Sequence, residues 1–134
     1  MPHFDIPLNL PHAGRVAARI VSLLEDRAAA AANASRVTDA RFDSLFATAA
    51  NLEMSLRPYR VTDDDPDDDE ALPVRTQAAE LGRELTQQIA AARIGDDRLG
   101  QCVRNLFECL EMGEEGALLG LQAGENPHSL QRPV

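Results

Sequence analysis

Carboxylates are the residues of this chain with the most capacity for chemistry, and their spacing decides which chemistry. Asp63, Asp64, Asp65, Asp67, Asp68, Asp69 and Glu70 form a block interrupted only by Pro66. Asp63, Asp65 and Asp67 have the alternate spacing of a calcium loop. Such a loop needs Gly where Asp68 stands, and a bidentate Glu where Val74 stands, so a dedicated calcium site is not expected. Like charges this dense repel one another and stay in water. The block therefore reads first as a solvated linker. Its second reading is an electrostatic lure for a basic partner, since carboxylates spaced along a segment can occupy a cationic groove built for nucleic acid.

The remaining carboxylates fall at helical spacing. Glu80 with Glu84, and Glu108 with Glu111 and Glu115, each share one helix face. A di-metal bundle would add Glu-x-x-His partners to such a set. His3, His12 and His128 supply none, so no metal or cofactor is expected. Pairing of these carboxylates with Arg83 and Arg104 at the surface is the better reading. Cys102 and Cys109 lie about two turns, or roughly 10 Å, apart on one expected helix, too far for a mutual disulfide. Set in an apolar stripe, their thiols are expected to be buried and inert. Gly113, Gly116, Gly120 and Gly124 follow no strand, which argues against a phosphate-binding loop. They suit a short helix lying close against another. Arg15 and Arg19 form a one-turn basic stripe on the first helix, a candidate for contact with a partner.

These residues need elements to position them. The 134 residues fit one domain. Aromatics make up 4% and Trp is absent, so Ala and Leu must fill the core, which favours closely packed helices over a sheet. A first helix is expected from 9–11, with the face Ala13, Val16, Ala17, Ile20, Leu23, Leu24, Ala28 and Ala31. A second carries Phe42, Leu45, Phe46, Ala49, Leu52 and Leu56, and ends at Arg57-Pro58 because a residue before Pro is pushed out of the helical region. A third starts around Pro73 with Val74, Ala78, Leu81, Leu85, Gln88 or Ile89, and Ala92, and Gly82 inside it marks a close helix crossing. Gly95 is its expected terminator. A fourth, capped by Asp96 or Asp97, carries Leu99, Val103, Leu106 and Leu110, widened by Cys102, Phe107 and Cys109, and is broken by Gly113. There is room for a short fifth helix over 114–123. Residues 1–9 read as an extended arm, 59–72 as the acidic linker and 124–134 as a tail.

The expected fold is thus all-α: a bundle of four main helices, arranged as two hairpins joined by the acidic linker. The apolar faces of helices three and four look wide enough to favour a symmetric dimer. A net charge of −9 disfavours direct binding to nucleic acid or anionic membranes. All the basic residues are Arg, and Lys is absent. No span of about twenty apolar residues is present, nor a basic patch followed by an apolar run near the start, so a cytoplasmic setting is expected. The function expected is a non-enzymatic protein-binding module, an adaptor, secretion chaperone or regulator acting through apolar helix faces. The alternative is an acidic phage-type inhibitor that blocks the basic groove of a nucleic-acid-handling protein or defence complex. Candidate contact residues are the acidic block with Arg15 and Arg19.

Overall fold

The computed structural model describes residues 8–33, 40–63 and 66–124, without the side chain of Asp68. Every regular element among them is helical: α1 (Leu10–Asn33), α2 (Ala40–Thr62), α3 (Asp68–Ala91), α4 (Asp97–Cys109) and α5 (Gly113–Gln122). The expected arm and tail lie outside the described residues, apart from Leu8, Asn9 and Gly124. No helix among the described residues is long and apolar enough to cross a membrane.

The apolar spacings of the sequence produce the buried faces. On α1, Ala13, Val16, Ala17, Ile20, Leu23 and Leu24 are all buried, packed against α2 on one side and α4 on the other. On α2 the line Phe42, Leu45, Ala49, Leu52, Leu56 is buried. α2 also packs against α3, and α4 against α5. α3 shares more of its contact with α2 than with α4, which it meets closely at Gly82. The wide stripe of α4 is covered within the single chain: Leu99, Val103, Leu106, Phe107 and Leu110 are at most 1% exposed. That cover removes the part of the dimer argument that rested on helix four.

Phe107 is the largest of the fully buried side chains. Two glycines make room for it. A Cβ on Gly82 of α3 would come within 2.8 Å of the Phe107 ring, and one on Gly116 of α5 within 2.6 Å of the Phe107 Cβ and 3.1 Å of the Arg104 carbonyl oxygen. The expected close crossings at Gly82 and in the glycine-spaced α5 are therefore both present, and both meet at Phe107, one against its ring and one against its Cβ.

The helix ends depart from expectation at several places. α2 runs through Pro58 to Thr62, and α3 begins five residues before Pro73. Both prolines are exposed. A proline costs a helix one N–H and the bond to the carbonyl four residues back. On the solvent face, water can satisfy that carbonyl, and the helix continues. The connection expected over 59–72 therefore shrinks to residues 63–67. α3 ends not at Gly95 but at Arg93, which takes the left-handed conformation (φ 56°). The Ile94 N–H then donates to the Ile89 carbonyl and the Arg93 N–H to the Ala90 carbonyl, a six-to-one and five-to-two closure that satisfies the last carbonyls. α4 ends the same way at Glu111 (φ 60°), with the Met112 N–H on the Phe107 carbonyl, so Gly113 opens α5 instead of breaking α4.

The free carbonyls at the end of α4 serve as anchors. The Asn9 N–H donates to the Cys109 carbonyl at 2.9 Å and Arg75 Nε donates to the Leu110 carbonyl at 2.7 Å. Leu8 N–H reaches Glu111 Oε1 at 2.9 Å, and Asn9 Oδ1 caps α1 by accepting from the His12 N–H. Arg83 clamps α5 with a two-pronged contact to Glu115, Nε to Oε2 at 2.5 Å and Nη2 to Oε1 at 3.0 Å. This pair is one that the carboxylate spacing led us to expect.

Replacing Gly116 with Val should lower stability by about 1–3 kcal/mol, the usual range for forcing extra volume into a packed core. Thermal unfolding followed by circular dichroism checks this. An unchanged midpoint would mean that α5 does not press on Phe107.

Candidate protein-interaction surface

The acidic block sits at the end of the bundle where α2 gives way to α3, and most of it is built into helix ends. Asp63 closes α2 in the left-handed conformation (φ 56°), and its Oδ1 lies 3.3 Å from Arg15 Nη1 of α1. Both side chains are at least half exposed, so this pair contributes little to stability. Asp64 and Asp65 lie outside the described residues. Asp67 is the N-cap of α3, and its Oδ1 accepts the Glu70 N–H at 3.0 Å. Asp68, Asp69 and Glu70 form the first turn, where carboxylates are stabilised by the positive end of the helix dipole. Glu70 faces α2, and burial together with the Glu70 charge pushes the Tyr59 hydroxyl above its ordinary range. Of the two arginines picked out in the sequence, only Arg15 reaches the acidic turn. Arg19 lies along the α1–α4 seam, close enough to Cys102 for its charge to act on that thiol.

The sequence held a signal for this arrangement. Asp67-x-x-Glu70 before an apolar run is the spacing of a helix N-terminus with a capping box. Read as a charge run alone, it was assigned to a linker.

Beside the acidic turn, α2 presents apolar side chains to solvent. Met54 is 60% exposed and Val61 is 69% exposed, with exposed Pro58 between them. Positions 54, 58 and 61 are one and two turns apart on one helix face, turned away from the Leu45–Leu52–Leu56 line. Leu72, in the second turn of α3, is 52% exposed. Apolar surface was expected on helices three and four. Among the described residues it lies mainly on α2, with single contributions from α3 and, at Leu118, from α5.

The end of α2 that carries this stripe is stiffened from within. Glu53 is only 8% exposed and receives Arg57 Nε at 2.9 Å, a second contact from Arg57 Nη2, and Arg60 Nη2 at 3.3 Å. The hydrogen bond from Arg57, reinforced by Arg60, outweighs burial and holds the Glu53 carboxyl below its ordinary range.

Two other features were candidates. Burial pushes both thiols up, Cys109 to about 11, in keeping with their expected inertness. A cleft of about 460 Å³ opens between the second half of α1 and the start of α4, lined by Asp26, Arg27, Asp96 and Arg98 with Leu23 and Ala30 among its apolar residues. Asp96 caps α4 as expected and binds Arg98 through both oxygens. Burial pushes its carboxyl up, but Arg98 more than offsets this, leaving it below the ordinary range. With two aspartates balancing two arginines, the cleft has no surplus charge to draw an ion.

Because the Glu53 carboxyl is depressed in the folded state, its stabilisation is present above the unfolded value and is lost as pH falls through the folded one. Glu53→Gln should therefore cost about 1 kcal/mol near neutrality, by removing the charge that the partly exposed Arg57 and Arg60 pair with. The gap from the parent should close in acid. Urea unfolding across that pH range checks both parts, and a gap independent of pH would contradict the ionic role.

Compared with known proteins, the chain matches no protein-family model, no curated protein and no solved structure.

Proposed function

We propose that this chain is a non-enzymatic protein-binding module, acting in the cytoplasm as an adaptor, secretion chaperone or regulator, and that it engages its partner through the outward face of α2. The observation that carries this reading is the exposed line Met54, Pro58, Val61 on a helix whose opposite face is fully committed to the core. Large apolar side chains arranged in a row on a stiff helix favour a protein partner, because burying them recovers free energy in proportion to the area removed from water. Nucleic acid and anionic lipid are disfavoured by the net charge of −9.

A second reading, the acidic inhibitor of a nucleic-acid-handling protein, is favoured by one specific observation. Asp67, Asp69 and Glu70 are held on the capped start of α3, and charges held in place match a cationic groove at lower entropic cost than charges on a slack segment. The dimer expected from the sequence is a weaker proposal, since α4 is covered by its own chain.

Quantitative pull-down from the native host separates the readings. For a module that binds through α2, Val61→Glu should reduce capture of the specific partner by about tenfold or more, as for a central interface residue. For the inhibitor, capture should survive Val61→Glu and fail when Asp67, Asp69 and Glu70 are replaced by their amides. Capture indifferent to both sets would contradict both readings.

A further inference from the structure

The geometry points to a partner of defined chemistry: a helical segment whose apolar face fits the α2 line and which carries a cluster of Lys or Arg at one end. This inference rests on the protein-binding reading above and adds the occupant.

Three observations narrow the occupant. Among the described residues every regular element is a helix, so no strand edge is offered for an extended peptide to join. A partner must therefore dock side chain against side chain, as a helix does in an apolar groove. From Met54 to Val61 is seven residues, or about 10 Å of helix, which two turns of a partner helix would cover.

Charge then gives the segment a polarity. The α2 line runs out at Val61 into Asp63, Asp67, Asp69 and Glu70, and no basic residue occurs from Val61 to Val74. Arg15, at Asp63, and Arg57 and Arg60, bound to Glu53 over the last turns of α2, are the cations that the ion pairs place at this end, and the acidic residues outnumber them. The carbonyl end of the α2 dipole and the positive end of the α3 dipole meet there and oppose each other, so the carboxylates set the sign of the potential. A cationic cluster on the partner is therefore favoured at that end alone. Pro58 supplies a further acceptor. It has no N–H for the Met54 carbonyl four residues back, so this carbonyl, in the middle of the apolar line, lacks its helical donor. A Lys, Arg or Asn on the partner can donate to it.

The same charges argue against a second copy as the occupant. A parallel pairing of two α2 faces sets acidic end against acidic end. An antiparallel pairing in register over 54–61 sets Asp63 opposite residues 51–53, which offer no basic side chain.

The test uses the full chain and three labelled synthetic peptides, read by fluorescence anisotropy. One carries Leu at helical spacing with a Lys cluster at one end. The second has Glu in place of Lys. The third scrambles the first. The Lys peptide should bind about tenfold more tightly than either of the others, and its advantage should shrink as salt is raised. Val61→Glu should cost about tenfold in its affinity, and Asp69→Asn with Glu70→Gln should reduce the preference for Lys over Glu. Positions 61, 69 and 70 are all exposed, and circular dichroism of each variant confirms that it is folded. Equal binding of the scrambled peptide, or no effect of Val61→Glu, would overturn the inference in favour of bulk charge attraction. Equal binding of the Glu peptide would overturn it while leaving the protein-binding reading intact. Failure of every peptide, whatever its charge, would overturn it and count against the α2 face itself.

Discussion

One aromatic ring sets the spacing of half the molecule. Phe107 has no exposed surface, and α3 and α5 can approach it only because each presents a glycine there. With Trp absent and few other aromatics, most of the core is Leu and Ala, whose small volume requires helix backbones to come close. Once the ring is seated, α3 has a fixed position against α4. The Arg75 contact to the Leu110 carbonyl and the Arg83 clamp on Glu115 then fix its rotation and its reach. The N-terminus of α3, and with it the acidic turn, is held by that packing several turns away.

The acidic turn is held together by local physics despite its self-repulsion. Carboxylates in the first turn of a helix meet a positive dipole and unpaired N–H groups, and Asp67 satisfies one of these directly. Opposite it, Glu53 holds Arg57 and Arg60 over the last turns of α2. The two helix ends that frame the turn thus keep their shape for independent reasons. This is what allows Met54, Pro58 and Val61 to be presented as a row and not as scattered side chains.

Much of this was legible in the sequence where periodicity was strong. The faces of α1, α2 and α4 follow directly from apolar residues three and four apart, and of the caps expected near 9–11 and at Asp96 or Asp97, Asn9 and Asp96 are the residues used. Gly82 and the glycine series in α5 could be read as close crossings because glycine inside a helix needs a packing reason. The departures have a common cause: the effect of a single proline or glycine depends on the helix face on which it lies. Pro58 and Pro73 read as boundaries in the sequence, yet both sit on the solvent side, where a lost hydrogen bond is cheap. Gly95 and Gly113 read as terminators in the sequence, yet Arg93 and Glu111 accept the left-handed conformation because the closing hydrogen bonds offset its strain. The α2 line was invisible for a further reason. Which apolar residues stay outside depends on which flanks α1 and α3 cover, and no local pattern states that.

The central claim is that the residues on either side of the acidic turn are fixed in helices, so that charge and apolar surface are presented together. Residue-resolved hydrogen–deuterium exchange of the amides of Tyr59–Thr62 and Glu70–Leu72 tests it most directly. These amides should exchange well below the rate of an unstructured peptide, with Ala71, whose N–H donates to the Asp67 carbonyl at 2.8 Å, among the protected ones. Exchange of both stretches at the unstructured rate would mean a slack acidic linker, and would remove the surface on which the proposed function stands.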